Sequence, residues 1–249
     1  MRRLWQAAFA TLGLVAVIVF AILVSLYIWP FILLPRGRRE RYAIYGGVAF
    51  GWLCTYALLW ARVTLVGMEN LPKKRGFLII SNHRSWADVG ILQCHTRSQG
   101  ISKREVAWVP FFGLSGTLSG VIYFDRRSRI ARAKVVSDAI WIMQHGVSLH
   151  VFPEGTRTRD GRLNPKVFLR LVQEAYKAGI EVVPACVWGT EKAVGVGGYR
   201  AAPFQHVGLE VDPPFPREGY ADDDAFAKAA WARVCEMAKA RGSDEPFRG

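Results

Sequence analysis

Two short runs in this 249-residue chain gather residue types that can move a proton and hold an anion. In Asn82-His83-Arg84-Ser85-Trp86-Ala87-Asp88, a histidine is followed five residues later by an aspartate. A turn between them can fold the carboxylate back to the imidazole, where it accepts the Nδ1 proton and leaves Nε2 free as a general base. A histidine at a strand end is also a common structural residue, so the pair needs support from elsewhere. Phe152-Pro153-Glu154-Gly155-Thr156-Arg157-Thr158 supplies a carboxylate, a conformationally permissive glycine and an arginine able to grip an anion with two donors. Asp125-Arg126-Arg127 adds further charge. Ser85 adjoins the histidine's loop but lacks the Gly-x-Ser-x-Gly elbow of a nucleophilic serine.

Each charged run follows an apolar stretch. Phe77 to Ser81, Gly120 to Phe124 and Ser148 to Phe152 read as strands, as do Ile180 to Val187 and Val207 to Val211. Several are unbroken apolar runs, the pattern of strands covered on both faces. Ser128 to His145 carries apolar residues at Ile130, Ala133, Val136, Ile140 and Met143, which predicts an amphipathic helix ending at Gly146. Val167 to Lys177 predicts a second helix, stopped by Gly179, and Asp222-Asp223-Asp224 can cap a last one with Phe226, Ala230, Val234 and Met237 on one face. Strands alternating with helices indicate an α/β domain with a mixed, largely parallel sheet flanked by helices, and open sheets of this kind bind ligands at their carboxyl strand ends.

The formal charge of +13 is uneven: residues 1–135 carry a net +14 and residues 136–249 a net −1. Charge concentrated beside a hydrophobic segment fits a protein on anionic lipid and excludes a uniformly basic nucleic-acid binder. From Leu4 to Leu34 there is no charged residue, a stretch longer than the ~20 residues that span a bilayer. No small-x-small cleavage site follows it, and Trp29-Pro30-Phe31 continues it with interfacial aromatics, so the expectation is a retained segment and not a signal peptide. Tyr42 to Trp60 is a second, weaker uncharged stretch, and basic clusters flank both. A two-pass hairpin would place the cluster Arg36 to Arg41 outside the cytosol, which the positive-inside tendency disfavours. The expectation is therefore a hairpin or interfacial pair that dips into one leaflet of the inner (cytoplasmic) membrane, with the catalytic domain on the cytosolic side. Residues 1–62 would form these membrane-associated hydrophobic helices and residues 63–249 the α/β domain. Cys54, Cys94, Cys186 and Cys235 show neither metal-site nor CxxC spacing and read as reduced thiols.

In order and in detail, the runs resemble the glycerolipid acyltransferase family typified by 1-acyl-sn-glycerol-3-phosphate acyltransferase. Asn82-His83-x4-Asp88 matches that family's NHxxxxD block, and Phe152 to Arg157 matches its FPEGTR block letter for letter. Gly120-Val121-Ile122-Tyr123-Phe124-Asp125-Arg126 looks like the second block and Val182-Val183-Pro184-Ala185 like the fourth. Ser102-Lys103-Arg104-Glu105 followed by Val109-Pro110-Phe111-Phe112-Gly113 is similar to the stretch between the first two blocks. The resemblance implies transfer of a fatty acyl group from acyl-CoA or acyl carrier protein to the free hydroxyl of lysophosphatidic acid, making phosphatidic acid. It implies no cofactor, no metal and no covalent acyl-enzyme, with His83 and Asp88 catalytic. Arg126 and Arg157 would hold the acceptor's phosphate, Gly155 and Thr156 would line the substrate site, and Lys103 is a candidate donor to the oxyanion. Glu154 would orient an arginine or the acceptor hydroxyl, and Trp86 would pack or wall an acyl tunnel. After the third block the family shows F-K-x-G, whereas Leu163-Asn164-Pro165-Lys166-Val167-Phe168 lacks the glycine. A different lysophospholipid or a lyso-aminolipid therefore stands as an alternative acceptor. A catalytically silent protein that binds anionic lipid is a further alternative, against which the intact His83, Asp88, Glu154 and Arg157 speak.

Overall fold

A computed structural model of the protein describes residues 15–16, 18–20, 22–108, 113, 116, 121–124, 128–158, 160–195 and 202–245. Seven strands form one sheet: β1 (Arg62–Val66), β2 (Leu78–Ser81), β3 (Gln99–Lys103), β4 (Ile122–Phe124), β5 (Leu149–Val151), β6 (Val182–Trp188) and β7 (His206–Val211), in the order β1-β7-β6-β2-β5-β3-β4. From β6 to β4 the strands run parallel, while β7 pairs antiparallel with β6 and parallel with β1. The expected mixed, largely parallel sheet is thus present, with β1 and β3 added to the strands read from sequence.

Strand β2 is buried on both faces, and its alternation divides the core. Leu78 and Ile80 join Leu149 and Val182 beneath helices α3 (Arg129–Gln144), α4 (Arg170–Lys177) and α5 (Asp223–Ala240). Phe77 and Ile79 join Val183, Val187 and Leu209 on the opposite face, where Ile91 and Leu92 of α2 (Ala87–Thr96) close over them. The last helix is capped as expected, with Asp222 Oδ1 accepting from Ala225 N–H, and Ser128 Oγ caps α3 by accepting from Ala131 N–H. Helix α4 is shorter than expected, because Phe168 N–H donates to Pro153 O (2.8 Å) and holds the preceding residues out of the helix.

The N-terminal part is a helical hairpin. Residues 22–28 are helical, a single-turn segment Trp29–Leu33 follows, and the chain reverses at Gly37 (φ +90°) into α1 (Arg38–Trp52). Val24 and Ile28 are buried against Ala43 and Gly46 of α1. Helix α1 in turn lies on α2 so closely that a Cβ at Gly51 would come within 2.5 Å of the Gly90 carbonyl oxygen. The connecting loop is also tied to the sheet domain: Arg36 pairs with Asp138 of α3 (3.1 Å) and lies over the Trp141 ring. Among the described residues no helix is long and apolar enough to cross a membrane, and the first part of the uncharged Leu4 to Leu34 stretch lies outside them.

Candidate active site

Strand β2 ends at Ser81, and the chain passes over the sheet edge through Asn82, His83, Arg84 and Ser85 before α2 begins. Asn82 fixes this departure. Its buried side chain donates to Val187 O (2.9 Å) and accepts from Val187 N–H (2.9 Å), riveting the loop to β6. His83 Nδ1 then lies 2.8 Å from Oδ2 of Asp88, in the first turn of α2. The same oxygen accepts from Arg84 N–H (2.6 Å) and Ser85 N–H (2.7 Å). Because a carboxylate only accepts, Nδ1 carries the imidazole proton and Nε2 presents a lone pair. Asp88 is fully buried and His83 partly exposed, so the imidazole reaches the surface while its partner does not.

The loop leaving β5 completes the site from the neighbouring strand. Phe152 stacks on the His83 ring, with centroids 3.9 Å apart and planes 12° from parallel, which fixes the ring's tilt. Pro153 begins a tight turn closed by Gly155 N–H to Phe152 O (2.8 Å), and Gly155 takes φ +67°, a conformation that glycine adopts without strain. Glu154 is buried beneath this turn. Its Oε1 accepts from His83 N–H (2.8 Å) and its Oε2 from Asn164 N–H (2.9 Å). Burial pushes its carboxyl up to about 7, against the opposing pull of those two donors. Thr158 N–H returns to His83 O (3.0 Å), so the two loops are stitched on both sides of the histidine.

Several expectations change. Among the described residues the hydrogen-bond partners of Glu154 are main-chain N–H groups, those of His83 and Asn164, and not an arginine side chain. Trp86 is not a core residue: it stands 54% exposed in the turn before α2, and the Arg157 guanidinium lies 4.9 Å over its ring. That contact brings Arg157 to the His83 loop, while Thr156 is exposed beside it. Ser85 is buried, donates to Val194 O (2.8 Å) and accepts from Ala87 N–H, which excludes a free nucleophile. Lys103 closes β3 on the same carboxyl edge, where the structure describes its backbone alone, and Arg126 and Arg127 lie outside the described residues.

Other contributors carried no signal of their own in the sequence. Fully buried His150 meets the Phe152 ring edge-on (5.8 Å, 67°) and hydrogen-bonds Ser98 Oγ through Nδ1 (2.8 Å), and burial pushes it down to about 4. Arg84, also buried, donates to Gly161 O (2.6 Å) and to Ser243 O and pairs with Glu191 (3.1 Å). His95, His145 and His206 bond Tyr56, the Trp141 carbonyl and Thr64 respectively.

The fold and the motifs have relatives. An acyltransferase family model matches residues 62–188. The 1-acyl-sn-glycerol-3-phosphate acyltransferase of Limnanthes douglasii is 30% identical over 220 residues, covering 86% of this chain and 74% of that protein. The 1-acyl-sn-glycerol-3-phosphate acyltransferase alpha of Homo sapiens is 32% identical over 172 residues, 68% of this chain and 60% of that protein. The crystal structure of the 1-acyl-sn-glycerophosphate (LPA) acyltransferase from Thermotoga maritima, at 23% identity, shares the fold over 96% of this chain and 97% of that one, with a TM-score of 0.78. With its family blocks folded into one edge of that sheet, the chain belongs to the 1-acyl-sn-glycerol-3-phosphate acyltransferase family and is an acyltransferase.

Proposed function

We propose that the enzyme transfers a fatty acyl group from an acyl thioester, acyl-CoA or acyl carrier protein, to the free hydroxyl of lysophosphatidic acid, with His83 as general base. The observation that carries this reading is the His83 Nδ1 to Asp88 Oδ2 bond of 2.8 Å, which leaves Nε2 as the only imidazole nitrogen able to take a proton. In the reaction, Nε2 removes the hydroxyl proton as the oxygen attacks the thioester carbonyl. The imidazolium forms against Asp88, the tetrahedral intermediate collapses with cleavage of the C–S bond, and the departing thiolate takes the proton back. General-base help of this kind accounts for ~10²- to 10⁴-fold in rate. Arg157 binds the acceptor's phosphate, helped by Arg126, and Lys103 or loop N–H groups steady the oxyanion.

The acceptor is a lipid, and the site edge has features suited to a bilayer surface. Strands β1 and β7 begin on the edge where β2, β5 and β6 end, and the residues just before them, Trp60 and Phe204, expose rings 5.7 Å apart. Both hold positive φ (47° and 65°), a strain that a non-glycine residue keeps only where the surroundings impose it. With exposed Trp86 and Phe168, they supply interfacial aromatics around the site. The Arg36–Asp138 pair supports a hairpin whose basic connecting loop stays on the catalytic domain's side of the membrane. Purified enzyme offered labelled acyl thioester and a panel of acceptors tests the reading. Preference for lysophosphatidic acid is expected; preference for a different lysophospholipid or a lyso-aminolipid would replace the acceptor, and product from none of them would overturn the proposal.

A further inference from the structure

The catalytic loop is held from an unexpected direction, the C-terminal turn. Helix α5 ends in a Schellman motif: Ser243 N–H donates to Ala238 O (2.7 Å) and Gly242 N–H to Lys239 O (3.0 Å), with Gly242 at φ +63°. This reversal turns Ser243 inward until it is 1% exposed. Its hydroxyl accepts from Asn82 Nδ2 (3.0 Å) and donates to Val187 O (2.8 Å), and its carbonyl accepts from Arg84 Nη1. The residues on either side of His83 are thus both fastened to Ser243. The next residue, Asp244, accepts Leu163 N–H on Oδ1 (2.7 Å). Leu163 precedes Asn164, whose N–H binds Glu154, the same carboxylate that holds His83 N–H. One turn therefore grips the base loop with one residue and the 161–164 loop with the next.

We propose that Ser243 and Asp244 are positioning residues for acyl transfer: the C-terminal turn locks the His83 loop to the 161–164 loop, so that base and acceptor meet in register without either residue touching substrate. A helix cap that served stability alone would be satisfied by the Schellman bonds; the additional bonds go to the two loops that build the site and to Val187 of β6, the residue on which Asn82 is also fixed. Ser243 acts on the loop that aims His83, and Asp244 acts on the loop that holds Glu154, which under the proposed function borders the acceptor. The proposal rests on His83 being the reacting base.

The test is steady-state kinetics on full-length Ser243→Ala, Asp244→Ala and Asp244→Asn, each at a temperature where near-ultraviolet circular dichroism matches the parent. Ser243→Ala is expected to lower kcat by about tenfold with acceptor KM unchanged within about twofold, since misaimed proton transfer weakens the transition state alone. Asp244→Ala is expected to raise acceptor KM several-fold at nearly constant kcat, and Asp244→Asn, which keeps an acceptor for Leu163 N–H, to restore it. If Ser243→Ala does not fold, the Asp244 pair carries the test unchanged. Parental kinetics in the folded variants, or activity lost only in proportion to the unfolded fraction, would reduce the turn to a helix cap and overturn the proposal. His83→Ala run alongside separates the two claims: an active His83→Ala removes the base, whereas an inactive one beside parental Ser243→Ala and Asp244→Ala removes only the clamp.

Discussion

Replacing Asp88 with asparagine separates the charge of the His83 partner from its geometry. Oδ2 accepts three donors at 2.6 to 2.8 Å: two main-chain N–H groups and the imidazole. In Asp88→Asn the two main-chain donors require the amide oxygen to take the Oδ2 position, so the Nδ1–H tautomer survives. The amide nitrogen falls where Oδ1 lies, a buried atom with no hydrogen-bond partner among the described residues, at a cost of about 1–3 kcal/mol in stability. What disappears from the reaction is the negative charge facing the imidazolium. Two unit charges about 4 Å apart at an effective dielectric constant of about 20 interact by about 4 kcal/mol. The partial exposure of His83 reduces this, and a loss of about 2–4 kcal/mol is roughly 30- to 1,000-fold in kcat. Asp88→Ala removes the oxygen itself, leaving the buried N–H groups of Arg84 and Ser85 without their acceptor; it should cost about 1–3 kcal/mol of stability per orphaned donor and inactivate more deeply. The assay is thiol release from an acyl thioester with saturating acceptor, paired with thermal unfolding of each variant. Equal kcat in the asparagine and alanine variants would refute the anchoring argument, and parental kcat in Asp88→Asn would refute the role of the charge.

Glu154→Gln can accept only one of the two main-chain donors and should lower kcat about tenfold or more while costing about 1–3 kcal/mol, read by the same assay and by denaturation. Because burial raises the Glu154 pKa to about 7, the native state is favoured while the acid is protonated and loses that advantage as pH rises from 4.5 through 7; the glutamine variant should lack this slope in a Tm-versus-pH series. His150 has the opposite sign. Held at about 4 against an ordinary 6.5, it remains neutral while the unfolded chain takes up a proton, so on the order of 3 kcal/mol is lost as pH falls from 6.5 toward 4, and His150→Gln should flatten Tm over that window. Gly51→Ala would drive a methyl against the Gly90 carbonyl and force α1 off α2, lowering stability by about 1–3 kcal/mol on thermal melting.

Strands β2, β5 and β6 were legible because burial on both faces makes them apolar throughout. Strand β3 was not: Gln-Gly-Ile-Ser-Lys reads as a loop, and its buried Gln99 accepts a hydrogen bond from Gln93 on Oε1. Strand β1, Arg-Val-Thr-Leu-Val, lies at the sheet edge against β7 alone, with a burial pattern too irregular to advertise a face. The His83–Asp88 pairing was readable because it is local, five residues across one turn. The duty of Glu154 was not, since its partners are main-chain groups 71 and 10 residues away that any side chains could have supplied. Ser243 carries no motif, and its place depends on where α5 ends. The N-terminal segments were readable as apolar, but their attachment to the sheet, through the Arg36–Asp138 pair, the Tyr56–His95 bond, buried Ile44 and the close approach at Gly51, follows no sequence pattern.

The central claim is that His83 takes the proton of a lipid hydroxyl. The most direct test is single-turnover acyl transfer to lysophosphatidic acid by folded His83→Ala enzyme with the labelled thioester in hand. Loss of the general base predicts a fall of at least ~10²-fold in the chemical step, with acceptor binding, measured by equilibrium dialysis, close to that of the parent. Transfer at the parental rate would contradict the account.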